Sequence, residues 1–364
     1  MGKIAEAQIV GSLSPDGDVR AAARDAMTAA FATFKEGRPI LVVSHFDADG
    51  LTAAAILIRA LRRAGREAVS VVVGKGQSPW DPEVTHRLGA HEPGGLIVAD
   101  LGTRADPVLP GCPTLVIDHH VPTGEPRDAI TISGNGLDPE PTTALLAWWA
   151  AGALGDQADL LWLAAVGLIG DMAEGLDFPE IAEAQVRWGK TALRDATSLV
   201  NAPRRTAAAD VGPALRLLLA SDGPKRITKG DDADALALHA AKAEVRAAMD
   251  VAKRVPPAIG GDVALIALDS PCQIHLLIAQ QWRGRLKDKI VIAANAGYRP
   301  GWVHFAARSA SGCDLIAFLA EHRPENADGR YGNGHAQSTG GALRNADWND
   351  FIRKLGFPQA QVQA

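Results

Sequence analysis

The sequence predicts an α/β protein, with a parallel sheet in the first half of the chain and a smaller α/β domain after it. Three observations carry this. Short aliphatic runs alternate with helical stretches through the first half, the pattern of strands joined by crossover helices. Several of those runs are apolar at every position, as in strands covered on both faces. A helical stretch of mixed charge, closed by Val255-Pro256-Pro257 and Gly260-Gly261, then separates this half from a second series of strands.

In order, Val19–Lys35 reads as a helix, Ile40–Val43 as a buried strand and Leu51–Ala64 as an Ala/Leu/Ile-rich helix. Strands follow at Val69–Val73, Leu96–Ala99 and Thr114–Ile117, and helices at Thr142–Gly152 and Asp159–Gly170. Beyond the turn at Ser221-Asp222-Gly223-Pro224, a helix covers Asp231–Arg254 and a strand Val263–Leu268. Ser270-Pro271 opens a helix to about Leu286, with serine as N-cap and proline at the first helical position. Strands at Ile290–Ala294 and Val303–Ala307, a helix at Cys313–Ala320 and a tight loop at Gly332–His335 complete the pattern.

Composition narrows the function classes. The 364 residues suffice for two domains, and 47% hydrophobic with 22% charged residues is the balance of a globular protein. A net charge of −5 excludes nucleic-acid binding through a global positive field, so phosphate binding has to be local or metal-mediated. Aromatic residues, at 5%, are too few for a base-stacking surface. The three cysteines, Cys112, Cys272 and Cys313, form no CxxC pair, which excludes a disulfide framework and fits a reduced, cytoplasmic setting. No apolar run is long enough to span a bilayer, so no membrane association is expected. Met1-Gly2 alone is too generic to predict N-myristoylation.

The chemistry gathers at strand ends. Three strand-like runs each close on an acid, at Asp47 and Asp49, at Asp100 and at Asp118. Ligand sites of open α/β sheets lie beyond the carboxyl ends of the strands, so these acids converge if the strands are parallel neighbours. In Ser44-His45-Phe46-Asp47-Ala48-Asp49-Gly50, extended backbone would put His45, Asp47 and Asp49 on one face, with Gly50 turning the chain into a helix. Asp118-His119-His120 sets an acid beside two of only ten histidines, and histidine is the commonest metal ligand. Asp171 closes a long apolar helix at the end where an acid opposes the helix dipole, so something must compensate it. Two histidines and four aspartates (His45, Asp47, Asp49, Asp100, His119, Asp171) suit two divalent ions sharing a carboxylate. That donor set suits Mn2+ or Mg2+, with zinc or Co2+ less favoured, and Mn2+ is the ion expected. The tryptophans Trp148, Trp149 and Trp162 read as core, and His275 as a packing or surface residue. Basic clusters at Arg59/Arg62/Arg63/Arg66 and Arg283/Arg285/Lys287/Lys289 read either as solvated helix faces or as tracks for a phosphate backbone.

With these residues in place, the chain resembles the DHH phosphoesterase superfamily, in its RecJ-like and oligoribonuclease-like branches. The triplet that names the superfamily stands here as Asp118-His119-His120, and His45-x-Asp47-x-Asp49-Gly50, Asp100 and Asp171 fall in the family's order. Arg308-Ser309 and Gly332-Asn333-Gly334-His335 resemble the Arg-Ser pair and GGGH loop of a DHH-associated C-terminal domain. Asn333 replaces a usual glycine, which bears on substrate identity.

The resemblance implies a metal-binding phosphoesterase domain over residues 1–203, a helical connector over 204–258 and a substrate-binding domain over 259–364, with the active site in the cleft between the two domains. His45 and Asp47 would hold one ion, Asp49 and His119 the other, with Asp100 and Asp171 bridging or completing the sites. Asp118 would orient its neighbours, and His120 would contact the scissile phosphate. Arg308, Ser309 and Gly332–His335 would grip a terminal phosphate or nucleotide. The substrate class implied is a short single-stranded oligonucleotide or a small nucleotide. The alternatives are a RecJ-like 5′ single-strand exonuclease, a cyclic-dinucleotide or 3′-phosphoadenosine phosphate phosphatase, or a non-catalytic nucleotide-binding scaffold. A homodimer is compatible with the sequence.

Overall fold

A computed structural model describes residues 18–327 and 331–363. The Met1-Gly2 reading falls outside them. Two compact units divide the chain. One runs to Arg204 and resumes over Ala209–His239; the other holds Arg205–Ala208 and continues from Ala240.

The first unit contains α1 (Val19–Thr33), β1 (Ile40–His45), α2 (Ala48–Arg63), β2 (Ala68–Val73), α3 (Pro82–Gly89), β3 (Gly95–Ala99), β4 (Thr114–Asp118) and β5 (Ala129–Ser133). Helices α4 (Thr143–Ala151), α5 (Leu161–Gly170), α6 (Pro179–Trp188), α7 (Lys190–Val200), α8 (Gly212–Ala220) and α9 (Pro224–Lys229) follow. The strands form a parallel sheet in the order β2-β1-β3-β4-β5. Its side chains alternate faces, as extended backbone requires. Ile40, Val42, Ile97, Leu115 and Ile117 enter the main core with α1, α2, α4 and α5. Leu41, Val43, Leu96, Val98 and Val116 pack on the opposite side with Val84 and Leu88 of α3 and Val108. Covering on both faces is why these strands read as unbroken apolar runs.

The apolar face of α5 packs beside α2 and α4 because Gly167 has no side chain. A Cβ there would lie 2.4 Å from Ala144 Cβ and 2.6 Å from Asp49 Oδ1. Gly50 is similarly tight, since its Cβ would meet the His45 carbonyl oxygen at 2.6 Å.

The division between the units falls within α10 (Ala233–Ala252). The second unit adds β6 (Ala258–Gly260), β7 (Val263–Leu268), α11 (His275–Arg283), β8 (Ile290–Arg299), β9 (Trp302–Ser309), α12 (Leu315–Glu321), β10 (Tyr331–His335), β11 (Ser338–Arg344) and α13 (Asn345–Lys354). Its sheet is mixed, in the order β10-β11-β9-β8-β7-β6, with β7 and β8 parallel and the other pairs antiparallel.

Two local expectations change. Ser270-Pro271 does not begin a helix, because Ser270 is tied elsewhere: its N–H donates to Asn295 Oδ1 and its hydroxyl accepts from the Cys272 N–H. Helix α11 starts at His275 instead. Gly332–His335 is not a loop but part of strand β10, paired antiparallel to β11 with an irregularity between Tyr331 and Asn333. Gly332 (φ +80°) and Gly334 (φ +134°) take up the positive φ values of that distorted strand, which other residues resist. Among the described residues no helix is long and apolar enough to cross a membrane.

Candidate metal centre

The carboxyl ends of β1, β3 and β4 deliver the first groups. His45 ends β1, and Asp47 two residues later caps α2, its Oδ1 accepting from the Gly50 N–H at 3.1 Å. Asp49 lies in the first turn of α2, so the three side chains of this motif do not share a face by strand alternation, which is what their spacing alone suggests. The helix begins at Ala48, and helical twist turns Asp49 inward. There its carboxylate accepts the N–H groups of Thr143 (2.8 Å) and Ala144 (2.9 Å). These amides open α4, whose own N-cap, Thr142, makes no side-chain cap. Asp49 caps α4 from a distant segment.

Asp100 follows β3 with φ 65°, a left-handed conformation uncommon outside glycine. Its buried carboxylate accepts the Thr143 hydroxyl at 3.1 Å. Asp118 ends β4, fully buried. Its Oδ2 accepts the Gly102 N–H at 2.7 Å, and its Oδ1 lies 2.7 Å from the His120 backbone nitrogen and 2.9 Å from His120 Nδ1. Asp171 is the C-cap of α5, and Met172 beside it is also left-handed, at φ 63°.

These segments bring all six predicted ligand residues together, in overlapping groups. His45, Asp47 and Asp100 form one; Asp49, His119 and Asp171 another; Asp100, His119 and His120 a third. Within each, the candidate donor atoms lie within 4.8 Å of one another. Asp100 and His119 each belong to two groups. His45 Nδ1 is 3.0 Å from Asp47 Oδ2 and 3.6 Å from Asp100 Oδ2. His119 Nε2 faces Asp171 (3.3 Å), Asp100 (3.7 Å) and Asp49 (4.0 Å).

The electrostatics are those of crowded anions. Burial, with the charges of Asp47 and Asp49, holds the Asp100 carboxyl well above the usual range. Burial and the charge of Asp171 push Asp49 up to about 7, against His119 and the Ala144 N–H. Burial works against charging His119, yet Asp171, Asp49 and Asp100 together raise it to about 10. Burial also raises Asp47, but His45 and Arg204 outweigh it and hold that carboxyl well below the usual range. His119 Nε2 is buried and makes no well-formed hydrogen bond. Oxygen-rich donors plus imidazole, with an orphaned ring nitrogen aimed among them, fit divalent cations.

Sequence reasoning missed four residues of this centre. Arg204 Nη1 reaches Asp47 Oδ2 at 3.4 Å, Asn201 Oδ1 accepts the Ala48 N–H, Thr143 holds Asp49 and Asp100, and Glu140 lies 3.4 Å from His119 Nδ1. None has a spacing signal tying it to the ligand motifs, because the four arrive on two stretches, 140–143 and 201–204, remote in sequence from the residues they contact.

In the second unit, Arg308 of β9 and His335 of β10 stand in register on either side of Ser338 in β11. Arg308 donates to the carbonyls of Ala307 and Thr339, and the buried Ser309 hydroxyl lies 2.9 Å from that of Ser311. Gly332, Asn333 and Gly334 lie in β10, on the far side of β11 from β9. His275 is a packed residue, and burial with nearby His304 and Arg308 pushes it down to about 3. The basic cluster of α2 is spent on the protein itself. Arg59 bonds the Ser221 carbonyl, Arg62 the Ala68 carbonyl, Arg63 Gln157 and Asp159, and Arg66 the Lys35 carbonyl. That argues against its tracking a phosphate backbone.

Residues 39–174, which supply every group of the centre from His45 to Asp171, match the N-terminal domain of the DHH family. Over that segment the chain carries the DHH family's N-terminal domain. The chain is 33% identical over 100 residues to the single-stranded-DNA-specific exonuclease RecJ of Escherichia coli (strain K12). That match covers 24% of the chain and 17% of the relative. The RecJ of Salmonella typhimurium is 32% identical over 115 residues, covering 29% of the chain and 19% of that protein. The alignments thus span less than a fifth of either curated relative. The fold is shared with RecJ from Thermus thermophilus in complex with Mn2+, at TM-score 0.70 and 22% identity, covering 94% of this chain and 55% of that one.

Proposed function

We propose that this DHH chain is a two-metal phosphodiesterase, using Mn2+ or a similar divalent ion, that hydrolyses short single-stranded oligonucleotides or small nucleotides. The observation that carries the reading is the overlap of three candidate ligand groups through Asp100 and His119. Two divalent ions held there would supply a water-derived nucleophile at neutral pH and neutralise charge on a phosphoryl group.

The residues around them divide the remaining work. His45, Asp47 and Asp100 hold one ion, and Asp49, His119 and Asp171 the other. Asp118 fixes the His120 ring through the 2.9 Å contact at Nδ1, leaving the exposed Nε2 edge to meet a substrate phosphate. Arg204 holds positive charge against Asp47 at the edge of the centre. Arg308, Ser309 and the Gly332–His335 segment hold a terminal phosphate. RecJ-type relatives, whose name specifies single-stranded DNA, support the nucleic-acid side of this reading.

The test is a hydrolysis panel with Mn2+: linear and cyclic dinucleotides, 3′-phosphoadenosine phosphate, short and long single strands, and pyrophosphate. The expected result is turnover of dinucleotides or short single strands, lost in Asp100→Ala. No turnover across the panel, or full turnover by purified Asp100→Ala, refutes the reading.

A further inference from the structure

Most of the polar groups at the centre point inward, toward the shared donor atoms. One points at a donor from behind. His119 presents two ring nitrogens to different surroundings: Nε2 faces Asp49, Asp100 and Asp171, while Nδ1 faces Glu140 Oε1 at 3.4 Å. Among the described residues, Glu140 is the one carboxylate within salt-bridge distance of Nδ1. It is exposed and lies between Pro139 and Pro141, in the segment that leads into α4.

We infer that Glu140 is a positioning residue that selects which nitrogen of His119 is offered to a metal ion. This rests on the reading of His119 as a ligand. A neutral imidazole carries one N–H and one lone pair. A carboxylate acceptor beside Nδ1 draws the N–H to that side and turns the lone pair of Nε2 toward the three aspartates. The same contact favours one rotation of the ring, as carboxylates behind metal-bound histidines do. The flanking prolines each fix φ near −65°, and Pro141 also confines Glu140 itself to extended backbone. The acceptor is therefore carried on a stiff segment. The segment continues into Thr143, whose N–H and hydroxyl hold Asp49 and Asp100. One stretch of chain thus sets three donors of the centre.

The experiment is a calorimetric titration of metal-free full-length protein with Mn2+, on wild type, Glu140→Ala and Glu140→Gln, with circular dichroism confirming that each is folded. Glu140→Ala is expected to weaken metal binding by about 10–100-fold, the usual cost of losing such a partner. Glu140→Gln keeps an acceptor oxygen and is expected to recover most of that loss. A folded Glu140→Ala that binds as tightly as wild type overturns the inference. So does Glu140→Gln that binds as weakly as Glu140→Ala, because the side chain would then act only as a remote charge. Failure of the wild type to bind two ions overturns the metal reading itself, a result these variants cannot mimic.

Discussion

At the carboxyl end of the parallel sheet, Asp49 and Asp100 are buried among further acids, and His119 Nε2 has no well-formed partner. At the Ser338 end of the mixed sheet, the half-buried Arg308 donates to two backbone carbonyls. The two regions handle desolvated charge in opposite ways. Around Arg308 the protein supplies partners from its own ladder, so the arrangement is sound without a ligand. Around Asp100 it assembles like charges whose repulsion is relieved by protonation or by a cation. A polar cluster that is over-supplied with one sign of charge marks where a ligand belongs more clearly than a well-bonded one does.

The contrast can be broken most directly at Asp100. Loss of a partner behind a metal ligand already costs about 10–100-fold. Asp100→Ala, which removes a group shared between sites, should exceed that in both metal affinity and turnover, read by titration and by the hydrolysis panel. Gly167→Ala should come next. Its Cβ would press Ala144 and Asp49 Oδ1 at once, so overpacking of about 1–3 kcal/mol is expected as a lowered melting temperature. An unchanged melting temperature would show that α5 can shift away from Asp49.

The pH dependence of the metal-free protein sharpens the same point. Asp49 has a folded-state value of about 7, raised above an unfolded value of about 3.9. A raised group binds more protons when folded, so its contribution is present at low pH and lost as pH climbs from about 4 to about 7. Asp118 runs the other way. Burial raises it, but His120 and two backbone N–H groups lower it further. Its stabilisation is present above the ordinary carboxylate range and is lost on acidification through the lowered value. In melting curves, Asp49→Asn should therefore lose less stability than wild type between about pH 4 and 7. Asp118→Asn should differ from wild type most at neutral pH and least in acid. Mn2+ should flatten the wild-type curve.

Smaller effects are expected away from the acids. Arg308→Ala should cost about 1–3 kcal/mol of stability and raise KM, with Mn2+ affinity unchanged. A fall in Mn2+ affinity would contradict the contrast between the two regions. Arg63→Ala, which breaks a half-exposed pair with Asp159, should cost about 0.2–1 kcal/mol and leave turnover alone.

The strands facing the centre were legible because both of their faces are covered, which leaves unbroken apolar runs at Ile40–Val43, Leu96–Ala99 and Thr114–Ile117. Strand β5, one of the sheet's two edges, escaped notice because four of its five residues are only partly buried. The six candidate ligands were legible because three apolar strand-like runs each close on an acid, two of them beside a histidine, and one apolar helix closes on Asp171. Their geometry was not. Asp49 looked like one of three alternating strand residues, yet it turns into a helix and reaches across to α4. Glu140, Thr143 and Arg204 carried no pattern, since their meaning comes from contacts 21 to 157 residues apart in the chain.

The double duty of Asp49 bears on how inactive descendants of such a chain would look. Both of its oxygens accept the first amides of α4, so replacing it would take from a core helix the acceptors that cap it, whether or not any chemistry remained. A copy that had abandoned turnover would still be held to this aspartate by the demands of folding. Erosion would surface first at His45 or Asp171, which stand at the solvent edge and hold no helix in place.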